Sequence, residues 1–233
     1  VGASIPWALE TLNFTANHIC SHNNPHYSRR WLVAVRFCTK CGSKVIPEVP
    51  PGDNRERDVC ARCKHIEYKN PRNVVGCLAT RNSKLLMCRR GIEPAYGLWT
   101  LPAGYMEIGE SLTGCAKRET SEEANAEIEV GPLFAIVDLI HIEEVHFYFK
   151  AEMTSDHFAP GQETLETKLF SVEDIPWDSL AFSSVRFALR KYFHADQSCL
   201  HHAIAPIPQS CGNRPGFIDQ CSGDSPAYAR YER

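Results

Sequence analysis

Residues 104–126 read GYMEIGESLTGCAKRETSEEANA, and the spacing of charge in this stretch decides how the rest of the chain is read. Ser111 is a good N-cap and Asn125 suits the left-handed residue just past a helix end, so the pattern predicts a helix over 112–124. At about 100° per residue, Glu119, Glu122 and Glu123 (i, i+3, i+4) then share one face. Three carboxylates held so close repel one another unless a cation neutralises them. A hard divalent ion, Mg²⁺ or Mn²⁺, takes oxygen ligands and keeps water in the rest of its sphere. That suits phosphate chemistry, because the ion can hold phosphate oxygens and activate a water together. Arg118 stands one step back, placed to fix a carboxylate through two parallel hydrogen bonds. Glu119, Glu122 and Arg118 are therefore the candidate catalytic residues, and Glu119, Glu122 and Glu123 the candidate Mg²⁺ or Mn²⁺ ligands. The plain alternative is a solvated acidic helix face, against which the registry from Gly104 through Glu110 to Arg118 argues. Gly114, inside the helix, costs about 1 kcal/mol relative to Ala and is expected to permit close approach of a strand.

The 233 residues have room for one ordinary domain and an accessory module. Hydrophobic content of 43% and charged content of 23% are those of a globular protein. The net charge is −3, so with an acidic helix face a polyanionic substrate needs bound cations. No apolar run approaches the ~18 residues of a membrane span, and no membrane partner is expected. Eleven cysteines would suit a disulfide framework, but four stand in metal-ligand spacing and no signal peptide is visible, so a reducing, intracellular setting is expected. Cys77, Cys88 and Cys115 sit in apolar contexts and read as small core residues.

The four cysteines are Cys38 and Cys41, eighteen residues, then Cys60 and Cys63, a spacing typical of zinc sites. Four thiolates close a tetrahedral shell around Zn²⁺ and leave no position for substrate, so this site is expected to be structural. Gly42, Pro47, Pro50, Pro51 and Gly52 predict knuckles and a loop, and a segment this small needs metal binding to fold.

Around these anchors the chain divides into an irregular segment 1–35 with some likeness to a transit-peptide remnant, a zinc ribbon 36–70, a main domain 71–195 and an irregular tail 196–233. In the main domain, Val74–Thr80 and Lys84–Arg90 read as a hairpin turning at Asn82-Ser83. Strands are expected over 127–136, 145–151 and 168–172, and a helix over 182–193 from the spacing of Phe182, Val185, Leu189 and Tyr192. The tail shows no periodicity, and Cys199, Cys211 and Cys221 receive no role.

The run Gly, x5, Glu110, x7, Arg118-Glu119, x2, Glu122-Glu123 resembles the Nudix box, with two departures: Thr120 where an aliphatic residue is usual, and Asn125 where Gly is usual. The resemblance implies an α+β fold, the Nudix α/β/α sandwich with a mixed β-sheet, preceded by the ribbon. It implies a Mg²⁺- or Mn²⁺-dependent pyrophosphatase that cleaves nucleoside diphosphates linked to another moiety. It also implies a metal contact from the backbone carbonyl at Gly104 and a further carboxylate outside the box, for which Glu163 and Glu166 are the candidates, with Glu143 or Glu144 as alternatives. Within the family, a ribbon ahead of the box resembles two branches. NADH pyrophosphatases carry Ser-Gln-Pro-Trp-Pro-Phe-Pro soon after the box, and no such sequence stands between Val130 and Phe170. The plant plastid-type FAD and ADP-ribose pyrophosphatases look closer, through CTKCGS, NPRNVVGCL, GLWTLPAGYMEIGES, HFAPGQETLE and LAFSS. The expected substrates are accordingly FAD and ADP-ribose, with NADH as the alternative and chloroplast, or else cytoplasm, as the location. The expected partner is a small nucleotide, and a homodimer is allowed. Trp99, Phe134 and Phe158 are candidates for stacking on a flat ring, with core packing the expected role of each. A reading from another class, a catalytically inactive module that binds nucleic acid or protein, is disfavoured by the intact glutamates. The mixed charges of the ribbon loop also disfavour nucleic acid.

Overall fold

The computed structural model describes residues 37–205 and the backbone of 218–219, in two units that divide between Tyr68 and Lys69. The segment 1–35, Cys211 and Cys221 lie outside the described residues. The first unit is a three-stranded antiparallel sheet, β1 (Val45–Glu48), β2 (Arg57–Cys60) and β3 (Ile66–Glu67). Its buried core is Cys38, Val45 and Cys60, too little apolar surface to offset the chain entropy of ordering the segment.

The second unit opens with the expected hairpin, β4 (Arg72–Arg81) and β5 (Lys84–Arg90). Asn82 and Ser83 both take positive φ, 49° and 62°, which matches the right-handed strand twist in a two-residue turn. Short strands β6 (Trp99–Thr100) and β7 (Ala103–Tyr105) pair with β5 and β4, and α1 (Leu112–Ala124) follows. Then come β8 (Ile128–Leu139), β9 (Glu144–Met153), β10 (Thr164–Phe170), α2 (Ser183–His194), β11 (His201–Ile204) and β12 (Ile218–Asp219).

These strands form one nine-stranded sheet, seven of them in the order β10-β5-β4-β9-β8-β11-β12, with β6 on β5 and β7 on β4 off that path. The β4/β9 and β8/β11 pairs are parallel and the others antiparallel, so the sheet is mixed as expected. Side chains alternate across it: Cys77 and Ala79 join Cys115, Ala116 and Ala124 of α1 on one face. Leu78 joins Val185, Phe187 and Leu189 of α2 on the other. The layers are thus α/β/α. Gly76 on β4 is required by close approach, since a Cβ there would lie 2.5 Å from the Ala103 Cβ.

Two expectations are corrected. Strand β10 starts at Thr164, not Lys168, because its register opposite β5 runs from Thr164↔Arg90 to Phe170↔Leu85. The chain beyond Ala195 is not wholly irregular: β11 lies parallel to β8, His201 opposite Ala135, with His201 and Ala203 buried. Four residues are too few to show a period in sequence. Among the described residues no helix is long and apolar enough to cross a membrane.

Candidate active site

Helix α1 begins and ends where its sequence dictates. The Ser111 Oγ accepts the Gly114 N–H at 3.0 Å, and Asn125 closes the helix in the left-handed region with its N–H on the Ser121 carbonyl. Gly114 lies against this cap and not against a strand: a Cβ there would meet Ser111 Oγ at 3.2 Å. Thr120 is fully buried, its hydroxyl on the Ala116 carbonyl at 2.8 Å and 3.0 Å from the Cys77 Sγ. The polar residue in an aliphatic position is therefore satisfied locally. Burial pushes the Cys77 thiol up to about 12, in keeping with an inert core cysteine.

On the exposed side Arg118 organises the carboxylates. Its Nε and Nη2 fork onto Glu110 at 3.2 and 2.7 Å, its Nη1 reaches Glu119 at 2.6 Å and Glu122 at 3.0 Å, and Nη2 also holds the Tyr105 carbonyl at 3.0 Å. Arg118 hydrogen bonding pulls the Glu110 carboxyl down to about 2. Glu110 is a residue that sequence reasoning left without a role; its signal was the fixed eight-residue step to Arg118. Glu119 is buried, 9% exposed. Burial raises its carboxyl pKa against the pull of Arg118. Glu123, one turn on, accepts the Ala103 N–H at 3.1 Å; burial, then the charge of Glu119, pushes it up to about 7 despite that bond. Carboxylates that resist ionisation side by side are what a cation would relieve.

Gly104 is fitted to this face. Its position on β7 opposite Val75 sets its Cα against Glu119, and a Cβ there would lie under 3.0 Å from the Glu119 carboxylate carbon and both oxygens. The loop before β10 closes over the other end of the helix. Ala159 and Gly161 donate to the Ala124 and Glu123 carbonyls at 2.8 and 3.0 Å, and Asn125 Nδ2 donates to the Ala159 and Pro160 carbonyls at 3.1 and 3.0 Å. These bonds satisfy the C-terminal orphan carbonyls. They also fix Glu163, whose charge is among those that raise the Glu123 pKa and whose carbonyl accepts the Gly91 N–H at 2.7 Å. Glu166 is exposed on β10 and pairs with Arg89 at 3.7 Å. Of the two candidates outside the box, Glu163 stands within electrostatic reach of Glu123, and Glu166 is drawn to a different partner. Glu144 is engaged elsewhere, with Arg72, Tyr105 and His146, and Glu143 is exposed in a left-handed turn with φ 58°.

The oxygen donors suit a hard cation, while in this arrangement Glu119 and Glu122 both lean on Arg118. The sulfur cluster is tighter: the Sγ atoms of Cys38, Cys41, Cys60 and Cys63 all lie within 4.8 Å of one another. Cys38 and Cys63 are 3.7 Å apart and Cys41 and Cys60 3.5 Å. A tetrahedral zinc with bonds of about 2.3 Å sets its sulfurs roughly 3.8 Å apart, so the four thiols fit that ion.

Trp99, Phe134 and Phe158 take core positions. Phe134 is buried, Trp99 stands edge-on to Phe170 at 4.8 Å, and Phe158 packs on the α1 face. Tyr105, the residue after Gly104, is half-exposed and points to the sheet face opposite the acidic helix. With Pro71, Arg72, Asn73, Met106, Glu107 and Ile108 it lines a cavity of about 370 Å³, and the Arg72 guanidinium sits 4.8 Å from its ring centre. Sequence reasoning missed this pair, though Tyr105 directly follows the box glycine.

The family model described as the NUDIX domain matches residues 70–190, and the one described as Nudix N-terminal, a zinc ribbon, matches 36–69. A Nudix hydrolase of known structure from Nitrosomonas europaea is 42% identical, with a TM-score of 0.70, covering 72% of this chain and 98% of its own. The NAD-capped RNA hydrolase NudC of Stutzerimonas stutzeri is 27% identical over 70% of this chain and 57% of its own length. The mouse mitochondrial NAD(P)H pyrophosphatase NUDT13 is 30% identical over 70% of this chain and 43% of its own. The chain thus spans about half the length of the curated relatives it matches. Since the domain match covers over half the chain and takes in the acidic helix together with the strands that hold it, the chain belongs to the Nudix hydrolase family.

Proposed function

We propose that the chain hydrolyses the pyrophosphate bond of a nicotinamide dinucleotide, NADH first, to AMP and the nicotinamide mononucleotide. The observation that carries the reaction class is the acidic face of α1, where Glu119, Glu122 and Glu123 adjoin Gly104 and are marshalled by Arg118. Bound Mg²⁺ or Mn²⁺ supplies charge neutralisation at the diphosphate and a water of lowered pKa. Glu119, Glu123 and the Gly104 carbonyl are the residues to hold it. Glu122, the most exposed of the three, and Glu163 are the residues to take the proton as the water oxygen attacks one phosphorus and the P–O–P bond breaks, the second phosphate leaving with the bridging oxygen. Support for the nicotinamide end comes from the names of the relatives, and from the ring-sized cavity at Tyr105 and Arg72, where a planar group can stack.

FAD and ADP-ribose, with the plastid-type branch and the chloroplast location that go with them, form the second reading. It is favoured by the absence of Ser-Gln-Pro-Trp-Pro-Phe-Pro after the box. The test is kcat/KM with Mg²⁺ for NADH, FAD, ADP-ribose, an NAD-capped RNA and a nucleoside triphosphate. NADH ahead of FAD and ADP-ribose by tenfold, about 1.4 kcal/mol, is expected. FAD or ADP-ribose ahead by that margin hands the function to the second reading. No turnover of any of them, with tight RNA binding in a gel shift, replaces both with an inactive binding module.

A further inference from the structure

On the α2 face of the sheet lies a buried polar network that the pyrophosphate chemistry does not use. Glu144, the first residue of β9 and the register partner of Arg72, is 8% exposed. Its Oε1 accepts from Arg72 Nη2 at 2.7 Å and from the Tyr105 hydroxyl at 2.8 Å, and its Oε2 faces His146 Nε2 at 3.0 Å. His146 Nδ1 is 3.0 Å from the Ser184 Oγ on α2, which is 3.0 Å from the Tyr148 hydroxyl. One assignment satisfies every member: Tyr148 donates to Ser184, Ser184 to His146 Nδ1, and His146 to Glu144 through Nε2. Burial pushes the Glu144 carboxyl up, but the bonds from His146 and Tyr105 and the charge of Arg72 outweigh it and hold it below the usual range.

A buried carboxylate with three dedicated hydrogen-bond partners is costly to build. Its two outward members, Arg72 and Tyr105, are the stacked pair that lines the cavity. Tyr105 is held at both ends, its carbonyl by Arg118 of the acidic helix and its hydroxyl by Glu144. We infer that Glu144 is a positioning residue for substrate recognition: with His146 and Ser184 behind it, it fixes the Tyr105 ring and the Arg72 guanidinium in the orientation that receives the ring end of the dinucleotide. The inference rests on the proposed dinucleotide reading. A tyrosine held in advance loses no rotamer freedom when the ligand arrives, and release of that restraint weakens binding by roughly three- to tenfold.

The experiment compares wild type, Tyr105→Phe, Glu144→Gln and the double variant on the dinucleotide that wild type turns over best, with inorganic pyrophosphate as a ringless competitor. Tyr105→Phe keeps the ring and removes its tether. KM is expected to rise roughly three- to tenfold in each single variant, with a smaller change in kcat. The double variant should be no worse than Glu144→Gln alone, because the Gln removes the charge that strengthens the bond and the Phe removes its donor, so both act on the same link. The pyrophosphate inhibition constant should move less than twofold, whereas general damage to the site would move both. Unchanged KM in Tyr105→Phe, additive effects in the double variant, or a parallel rise in the pyrophosphate constant overturns the inference. If Glu144→Gln does not fold, Tyr105→Phe decides, since Tyr105 is half-exposed and belongs to neither apolar core. Wild type that turns over no dinucleotide removes the functional reading instead, which is a separate failure.

Discussion

Replacing Gly104 with alanine tests the acidic face with a single methyl group. The Cβ would lie under 3.0 Å from all three atoms of the Glu119 carboxylate, where ordinary contact needs about 3.5 Å, so the carboxylate must retreat by roughly 1 Å. It is the far end of a flexible side chain, and Gly104 does not take a positive φ, so the backbone accepts alanine. The retreat breaks the 2.6 Å bond to Arg118, but Arg118 keeps Glu110, Glu122 and the Tyr105 carbonyl. The stability cost should then be about 1 kcal/mol, near the low end for a hydrogen bond, or about 2–4 °C in melting temperature for a unit of this size. Activity should fall far more. Misplacing a reacting group by about 1 Å costs on the order of 100-fold in rate, about 2.7 kcal/mol. The assays are a melting curve and kcat with Mg²⁺ titrated to saturation. Turnover within threefold of wild type would mean that the Glu119 position is not critical and would refute the reasoning; a collapse of the melting temperature would mean that Gly104 serves the fold instead.

Glu119→Gln and Glu123→Gln keep volume and remove charge, so turnover should drop by orders of magnitude with the melting curve nearly unchanged; full activity in either removes it from the site. Cys41→Ser should lower bound zinc, measured by metal analysis as close to one per chain in wild type, and reduce solubility or melting temperature; wild type purified without chelator and found free of zinc defeats the structural-zinc reading. Glu123 gives a pH test. Its folded pKa of about 7 lies above the ordinary carboxyl value of 4.5, so between these values the folded state holds a proton that the unfolded state has lost. Stability of the metal-free protein should therefore fall as pH rises from 4.5 through about 7, and Mg²⁺ should bind more tightly across the same window while releasing a proton. A metal-free melting temperature that rises over that range contradicts the buried position of Glu123.

What the sequence made legible was chemistry carried by neighbours along the chain. The helix bounds at Ser111 and Asn125, the shared face of Glu119, Glu122 and Glu123, and the paired Cys motifs all depend on spacings of a few residues, and local geometry converts such spacings directly into proximity. The hairpin turn at Asn82-Ser83 was readable for the same reason. What stayed hidden is set by register between distant strands. Glu163 and Glu166 are three residues apart and chemically alike, and no local rule says which one faces the helix. What surrounds each comes from the fold: Gly91 holds the Glu163 backbone, Arg89 stands opposite Glu166, and Gly161, with no side chain, lets the loop meet the Glu122 carbonyl. The Glu144 network is a sharper case. Arg72, Tyr105, Glu144, His146 and Ser184 share no spacing, and they meet because the parallel register of β4 and β9 sets Arg72 opposite Glu144 and Val74 opposite His146, while β7 sets Tyr105 opposite Val74. The same pairing turns Gly104 toward Glu119 and Tyr105 toward Glu144, since neighbours on a strand point to opposite faces. Two consecutive residues therefore connect the acidic helix to the cavity on the other side of the sheet. The box glycine marks the acidic-helix end of that connection in sequence; the tyrosine after it carries the other end, and only the folded register shows what holds it.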